Sequence, residues 1–368
     1  QIFSKDWPLG KMVMEGHYYR LAGIFEALAI LVAEKFNLEL ADLLPDEHGI
    51  AEWSLDEMFS NTILWRSVGS FTDRTLALLN GLSSYEYEYP IFEVLLRLST
   101  EPDHPWNAEF LHNNLIRKSM PERDHFWSIY VALGDQEEDT EQSETVIRTL
   151  IQWSCFGDIS ATEEERARLC AVSLFWLLTT SNRKVRDQST KSLVRLLSKF
   201  PSLLPELIIK FQDVDDMYLI ERLYAVTYGV VCNISNGVLI SEIAKVVFDQ
   251  VFKDGKPIPH ILLRDYARGV MELALNKNIL PKKIKADSFR PPYNSEWPIE
   301  NPPEMEIDAL LGEDKYSHIH SSLIGDFGTY TMGGIHDWSP TVLSETKPET
   351  GYELKKKFAE QCLKGKLK

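Results

Sequence analysis

The chain has 368 residues, of which 44% are hydrophobic and 26% charged, a composition typical of folded domains that excludes wholesale disorder. Its formal charge of −16 argues against a nucleic-acid-binding protein, because phosphate contacts need lysine and arginine to displace counterions. The apolar run 21–33 contains Glu26 and is too short to cross a bilayer, so we expect no membrane partner. The four cysteines are far apart, which predicts buried free thiols and a cytoplasmic location.

Helical periodicity dominates residues 1–134, which we interpret as an N-terminal helical region. Apolar residues of 18–36 fall on one broad stripe, as they do in a helix that faces a core. Capping boxes predict helix starts at Ser54–Glu57, Ser119–Glu122 and Thr162–Glu165, because a hydroxyl and a glutamate there satisfy first-turn N–H groups. The middle of the chain is therefore expected to be all-α.

A helical phrase recurs in the second half. It places an apolar residue before a charged pair at Val185, at Ile220 and at Leu263, so the second copy begins 35 residues after the first and the third 43 residues after the second. Paired-helix repeats have lengths of roughly 34–47 residues. We therefore predict a HEAT/TPR-like α-solenoid over 143–280, in which each unit buries its apolar stripe against its neighbours.

The charged pairs of the phrase are candidates for a structural ladder. Opposite charges at equivalent positions of neighbouring repeats can pair and fix the stagger between the units. A ligand-binding role is the alternative. The predicted ladder consists of Arg186, Asp187, Glu221, Arg222, Arg264 and Asp265.

Three segments depart from the helical pattern. The acidic run 135–144 is expected to be a solvated loop, with an acidic docking patch as the alternative. Dense prolines followed by glycines predict that 281–343 is partly extended and packs on the solenoid. Residues 344–368 are expected to form a short basic C-terminal helix and tail.

Aromatic residues outside the helical pattern are the candidate partner-binding side chains. Such residues anchor protein interfaces because they bring a large contact area at small entropic cost. The alternative is that they hold the C-terminal segment in the solenoid groove. The set comprises Tyr85, Tyr87, Tyr89, Trp297, Tyr316, Tyr330 and Trp338.

Catalytic motifs give little support to an enzyme. Asp326-Phe327-Gly328 matches the metal-binding triplet of protein kinases but lacks the other kinase motifs, and the chain has no P-loop. His318, His320 and His336 lack partners at the spacing of a metal site. We predict no catalytic residues, no metal and no cofactor. A hydrolase or metal enzyme that uses the region from His318 to His336 remains an alternative.

Three phrases together resemble the C-terminal region of bacterial antiviral STAND NTPases, the Avs group. They are Ser119–Trp127, Leu262–Leu273, and Gly325–Tyr330 followed by Trp338-Ser339-Pro340. In that family an effector and a nucleotide-binding oligomerisation module precede a helical-repeat sensor, which recognises a conserved phage protein such as terminase or portal. The chain opens with Gln1 and lacks a P-loop, so we expect a fragment whose NTPase and effector lie upstream.

The resemblance implies a sensor module that binds a phage structural or packaging protein and so triggers upstream domains, with oligomerisation of the parent protein on activation. The alternative is a HEAT-like scaffold that mediates protein–protein assembly without an immune role. Both interpretations predict a protein partner and no nucleic acid.

Overall fold

The computed structural model describes residues 18–44, 50, 52–81, 90–133, 145–296 and 309. Within these ranges the chain forms helices and no β-strand, which confirms the predicted all-α class. The chain divides into two compact units, Gln1–Ser295 and Glu296–Lys368. Almost all described residues belong to the first unit. The segment predicted as a C-terminal helix, 344–368, lies outside them.

Within the described residues, the stretch 18–133 forms seven α-helices. They are α1 (Tyr18–Phe36), α2 (Glu52–Ile63), α3 (Asp73–Gly81), α4 (Pro90–Leu98), α5 (Ala108–Leu115), α6 (Met120–Arg123) and α7 (Ile129–Leu133). A π-helical turn, Asp124–Ser128, joins α6 to α7.

The described stretch 145–296 forms seven more. They are α8 (Val146–Phe156), α9 (Glu164–Trp176), α10 (Arg183–Lys199), α11 (Leu204–Phe211), α12 (Met217–Asn233), α13 (Gly237–Val247) and α14 (Ile261–Asn276). A second π-helical turn, Phe248–Phe252, follows α13. Among the described helices, none is both long and apolar enough to cross a membrane.

The predicted helix starts agree with the structure in part. Ser119 and Glu122 form the predicted capping box, with Pro121 in the first turn of α6. The capping box at Ser54 is wrong, because α2 begins at Glu52 and Ser54 is a buried residue inside the helix. The start of α9 is displaced by one residue, since Glu163 and not Thr162 is its N-cap.

A buried ion pair organises the loops around α2 and α3. Arg66 donates two hydrogen bonds of 2.9 Å to the carboxylate of Glu39, and both side chains are almost fully buried. Ser70 and Thr75 accept further hydrogen bonds from the same guanidinium. A buried charge is tolerated only when it is paired and hydrogen-bonded. This network therefore connects the loops before and after α2 to the first turn of α3.

Arg123 in α6 connects the helices α1–α7 to the helices that follow residue 145. Its side chain is 1% exposed, pairs with Asp215 before α12, and lies 5.7 Å over the ring of Trp176 in α9. Trp127 donates to the backbone carbonyl of Trp176 at 3.0 Å, and both indoles are fully buried. The phrase Ser119–Trp127 therefore forms a structural joint in the core.

The helices α8, α10, α12 and α14 form a layer in which each contacts the next. The contacts between α10 and α12 run in the same direction along both helices. Asp187 pairs with Arg222 near their starts, and Ser198 lies 3.5 Å from Asn233 near their ends. Neighbouring helices of this layer are thus parallel. The intervening helices α9, α11 and α13 pack against this layer.

Two glycines let the parallel helices approach closely. A Cβ on Gly229 of α12 would lie 2.8 Å from a methyl group of Val194 in α10. A Cβ on Gly269 of α14 would lie 2.7 Å from the ring of Tyr228 in α12. The contact between α10 and α12 has a constant offset of 35 residues, the spacing predicted between Val185 and Ile220.

The described part of the predicted extended segment, 281–296, contains a single 3₁₀ turn and no α-helix. Phe289 is fully buried beside Phe252, and Arg290 pairs with Glu272 of α14. This segment covers the last helix of the layer, which would otherwise expose an apolar face.

The cysteines in the described residues are unpaired, as predicted, but they are not all buried. Cys170 is buried in α9, Cys155 is half-buried, and Cys232 is exposed on α12. The expectation of burial is wrong for Cys232, because it lies on the outward stripe of α12 that begins at Tyr218.

The close contact at Gly229 predicts a cost for a larger residue. We expect Gly229→Ala to lower the free energy of unfolding by about 1 kcal/mol, because overpacking against the stiff Val194 outweighs the gain in helix propensity. Gly23→Ala in α1 is the matched control: its Cβ meets no atom within 4 Å, so it should stabilise by about 0.5–1 kcal/mol. Urea unfolding followed by circular dichroism measures both, and equal effects would contradict the close-packing argument.

The Arg123–Asp215 pair predicts a second effect on stability. Asp215→Ala leaves a buried guanidinium without its carboxylate and removes the hydrogen bond to the Met120 N–H, so we expect a loss of about 2–3 kcal/mol. The exposed neighbour Asp213 is the control, and Asp213→Ala should change stability by less than about 0.5 kcal/mol.

The same pair predicts a pH dependence. Burial disfavours the charged form of Asp215, but hydrogen bonds from Arg123 and the Met120 N–H outweigh it and hold its pKa below the ordinary value. The carboxylate therefore stabilises the fold above the ordinary aspartate pKa, and this contribution is lost as pH falls through the lowered pKa. The difference in unfolding free energy between wild type and Asp215→Ala should shrink in acid.

Candidate functional site

The described residues offer little for metal binding. They contain no group of three or more His, Cys, Asp or Glu side chains placed to hold an ion. Burial lowers the pKa of both His104 and His112 to about 4. The Nδ1 atom of His112 accepts a hydrogen bond from the Trp176 indole, so this histidine acts as a neutral core residue. His318, His320 and His336 lie outside the described residues.

The predicted aromatic set also falls outside the part of the chain that the structure describes. This applies to all seven side chains: Tyr85, Tyr87, Tyr89, Trp297, Tyr316, Tyr330 and Trp338. Their role in partner binding stays a prediction, as does the alternative that they hold the C-terminal segment in place.

The predicted ladder residues gather near the N-terminal ends of α10, α12 and α14. Asp187 of α10 accepts from Arg222 of α12 at 2.9 Å. Glu221 of α12 lies 3.5 Å from Nε2 of His260, the N-cap of α14. At the starts of these helices, the structure thus places a polar contact between α10 and α12 and another between α12 and α14. The second uses a histidine that the sequence pattern did not include.

Arg186 plays a different part in this row. Its guanidinium lies 4.2 Å from the centre of the Tyr218 ring and donates at 2.6 Å to the carbonyl oxygen of Thr180. A cation over an aromatic face is attracted by the ring quadrupole. The contact fixes the orientation of Tyr218 at the start of α12.

The third charged pair does not reach α12 through any ion pair in the described residues. Arg264 donates to the carbonyl oxygen of Pro257 at 2.7 Å and lies 5.0 Å over Tyr293. Asp265 pairs with Arg268 inside α14. These two residues therefore secure the loop before α14 and the segment that covers it.

Exposed apolar side chains lie near these polar contacts, at the starts of α12 and α14. Two lie in the first turn of α12, Met217 and Tyr218, and two in the first turn of α14, Ile261 and Leu262. Tyr218 is 52% and Ile261 77% exposed. We call these four residues, together with Arg183 and Lys184 in the first turn of α10, the N-terminal edge. Exposed apolar surface on neighbouring helix ends is typical of interaction sites.

The basic part of the N-terminal edge belongs to an unusual helix. In a chain with a net charge of −16, α10 carries six basic residues and one acidic residue. Its first turn contains no acidic residue, whereas α9 begins with Glu164 and Glu165. The positive end of the helix dipole disfavours cations at this position. Arg183 also lies 3.5 Å from Asp187 one turn further along α10.

The sequence contained a signal for this edge. Asp216 and His260 are side-chain N-caps, and each is followed at once by two large apolar residues. First-turn positions that point away from the helix stripe have no packing reason to be apolar. The pattern of a cap followed by off-stripe apolar residues, repeated on two helices of one layer, indicates a shared exposed surface.

No family model matches the chain, and neither a curated protein nor a solved structure matches it. The resemblance to STAND NTPases thus depends on the phrases themselves. Of these, Ser119–Trp127 forms the joint around Arg123, and Leu262–Leu273 lies within α14. The phrase Gly325–Tyr330 lies outside the described residues.

The contact between Asp187 and Arg222 predicts a measurable coupling. A double-mutant cycle with Asp187→Ala and Arg222→Ala should give a coupling energy of about 0.5–1 kcal/mol, because both side chains are partly shielded from water, at 36% and 24% exposure. Arg183 lies 3.5 Å from the same carboxylate, and the cycle subtracts that contact. High salt should weaken the coupling, and a value near zero would show that this pair does not hold the two helices in register.

Proposed function

We propose that the chain is a protein-recognition module built as a HEAT-like α-solenoid, and that it serves as the sensor of a cytoplasmic antiphage STAND NTPase of the Avs group. The observation that carries the proposal is the layer of parallel helices with its 35-residue offset between α10 and α12. Repeats that contact only their neighbours produce long surfaces suited to binding folded proteins.

The chemistry of the described surface favours binding over catalysis. Its perturbed groups have structural explanations: His104 and His112 are neutral by burial, and Glu109 in α5 pairs with Arg168 and Lys210. The described surface also carries exposed apolar first-turn residues and a basic helix, which are features of an interface. This supports a protein partner, and the acidic charge of the chain disfavours nucleic acid.

In the proposed mechanism, a phage protein binds the module and shifts the parent NTPase from a resting to an assembled state. Such a shift requires that the phage protein bind the two states with different affinity. The nucleotide-binding and effector activities would belong to other parts of the parent protein. A HEAT-like scaffold that assembles host proteins is the competing function, and it uses the same surface without an NTPase.

Pull-down with the immobilised full chain tests the function. We expect a folded phage packaging or capsid protein, such as terminase or portal, to be retained at micromolar concentration from a panel of purified phage proteins. The phage protein should still be retained after nuclease treatment, because no nucleic acid bridges the contact. If no phage protein is retained while a host protein is, the scaffold function replaces the sensor function.

A further inference from the structure

The N-terminal edge combines two chemistries on one surface. At one side, Arg183 and Lys184 begin α10, and the side chain of Arg183 is 85% exposed. On the other side, the apolar first-turn residues of α12 and α14 lie beside one another, because Glu221 and His260 hold the starts of these helices together. A ligand that covers the edge must match both parts.

The size of the edge sets the length of that ligand. Packed helices lie about 8–10 Å apart, so the distance from α10 across α12 to α14 is about 16–20 Å. An extended segment rises about 3.3 Å per residue, and roughly six residues span this distance. A short peptide segment therefore covers the whole edge.

The charge on the edge selects the sign of the ligand. The chain as a whole repels acidic proteins, since its net charge is −16. The first turn of α10 places two adjacent basic residues and no acidic residue on the edge, and the Arg183 side chain stays 85% exposed beside its contact with Asp187. Complementarity of this kind sets both the on-rate and the orientation of a partner.

We propose that the N-terminal edge binds a segment of a partner protein that carries carboxylates beside large apolar side chains. Arg183 and Lys184 take the carboxylates, while Tyr218, Ile261 and Leu262 take the apolar groups. The inference rests on the proposed protein-recognition function and names the partner chemistry and the surface.

Tyr218 is the anchor of the apolar part. The guanidinium of Arg186 holds its ring at 4.2 Å, and the ring is 52% exposed. An aromatic side chain that is fixed before binding loses little entropy when the partner docks. Tyrosine is also among the residues that dominate binding energy at protein interfaces.

Fluorescence anisotropy with labelled peptides tests the proposal on the full chain. The probe is a twelve-residue peptide that alternates glutamate with leucine and phenylalanine. One reference peptide replaces each glutamate with lysine, and a second replaces each apolar residue with serine. We expect the acidic apolar probe to bind and both reference peptides to bind at least about tenfold more weakly, a difference of about 1.4 kcal/mol.

Charge reversal locates the basic contact. The variant Arg183→Glu with Lys184→Glu should weaken probe binding by about tenfold or more. Lys282 and Lys283 are an exposed pair that follows α14 at its opposite end, and Lys282→Glu with Lys283→Glu is the matched control, expected to change affinity by less than about twofold. Equal losses in the two double variants would overturn the proposal, because they would show a non-specific charge effect.

Polar substitution locates the apolar contact. Ile261→Ser with Leu262→Ser should weaken probe binding by about tenfold, while Val238→Ser on α13, another highly exposed apolar residue, should leave it unchanged. Circular dichroism melts confirm that each variant is folded. If the variants of α14 are folded and bind as wild type does, the apolar half of the proposal fails.

Other occupants of the edge give distinct results. Binding of a fifteen-residue oligothymidine that also depends on Arg183 and Lys184 would assign the edge to nucleic acid. The acidic run 135–144 is an occupant from this chain itself. If the probe binds only after the carboxylates of the run 135–144 are replaced by amides, the edge is assigned to that run. Either result would overturn a partner segment as the ligand.

The peptide experiment and the phage-protein panel can fail separately. If a phage protein is retained and the double variant of Arg183 and Lys184 retains it equally well, the proposed function stands and this surface is wrong. If no phage protein is retained but the probe binds as described, the surface stands and the sensor function is wrong.

Discussion

The close approach of α10 and α12 is the constraint on which the second half of the chain depends. Val194 fits against the bare backbone of Gly229, so the two helices meet without space for a Cβ at that position. This contact fixes their axial position, and the Asp187–Arg222 pair lies at the same offset of 35 residues. Because parallel helices in fixed register begin at the same level, their first turns form one surface, the N-terminal edge.

The joint around Arg123 extends this order to the first half. This guanidinium is 1% exposed, and its terminal nitrogens donate to the Lys118 carbonyl oxygen in the loop before α6 and to Asp215 before α12. Burying one charge between two halves makes their separation costly, because both sides would leave polar groups without partners. The phrase Ser119–Trp127 is therefore explained by packing.

The sequence predicts the class and the register better than it predicts the surface. Val185 and Ile220 recur at 35 residues because both are buried at equivalent positions, and periodicity detects burial. The 43-residue step to Leu263 is less regular in space, since Tyr228 meets Gly269 at an offset of 41. The predicted cap at Ser54 is wrong because the same residue types also occur inside helices. The start of the helix depends on the turn that precedes them.

Helical periodicity does not predict the exposed surface, because first-turn residues are normally interpreted only as signals of a helix start. Met217 and Tyr218 follow the cap Asp216, whose side chain accepts the N–H groups of Tyr218 and Leu219, and the helix needs nothing apolar there. Positions free of packing can vary without disturbing the buried residues that set the register. If the edge is the proposed binding surface, first-turn residues can change what it binds while the fold is preserved, and their identity, more than the repeat itself, sets the choice of partner.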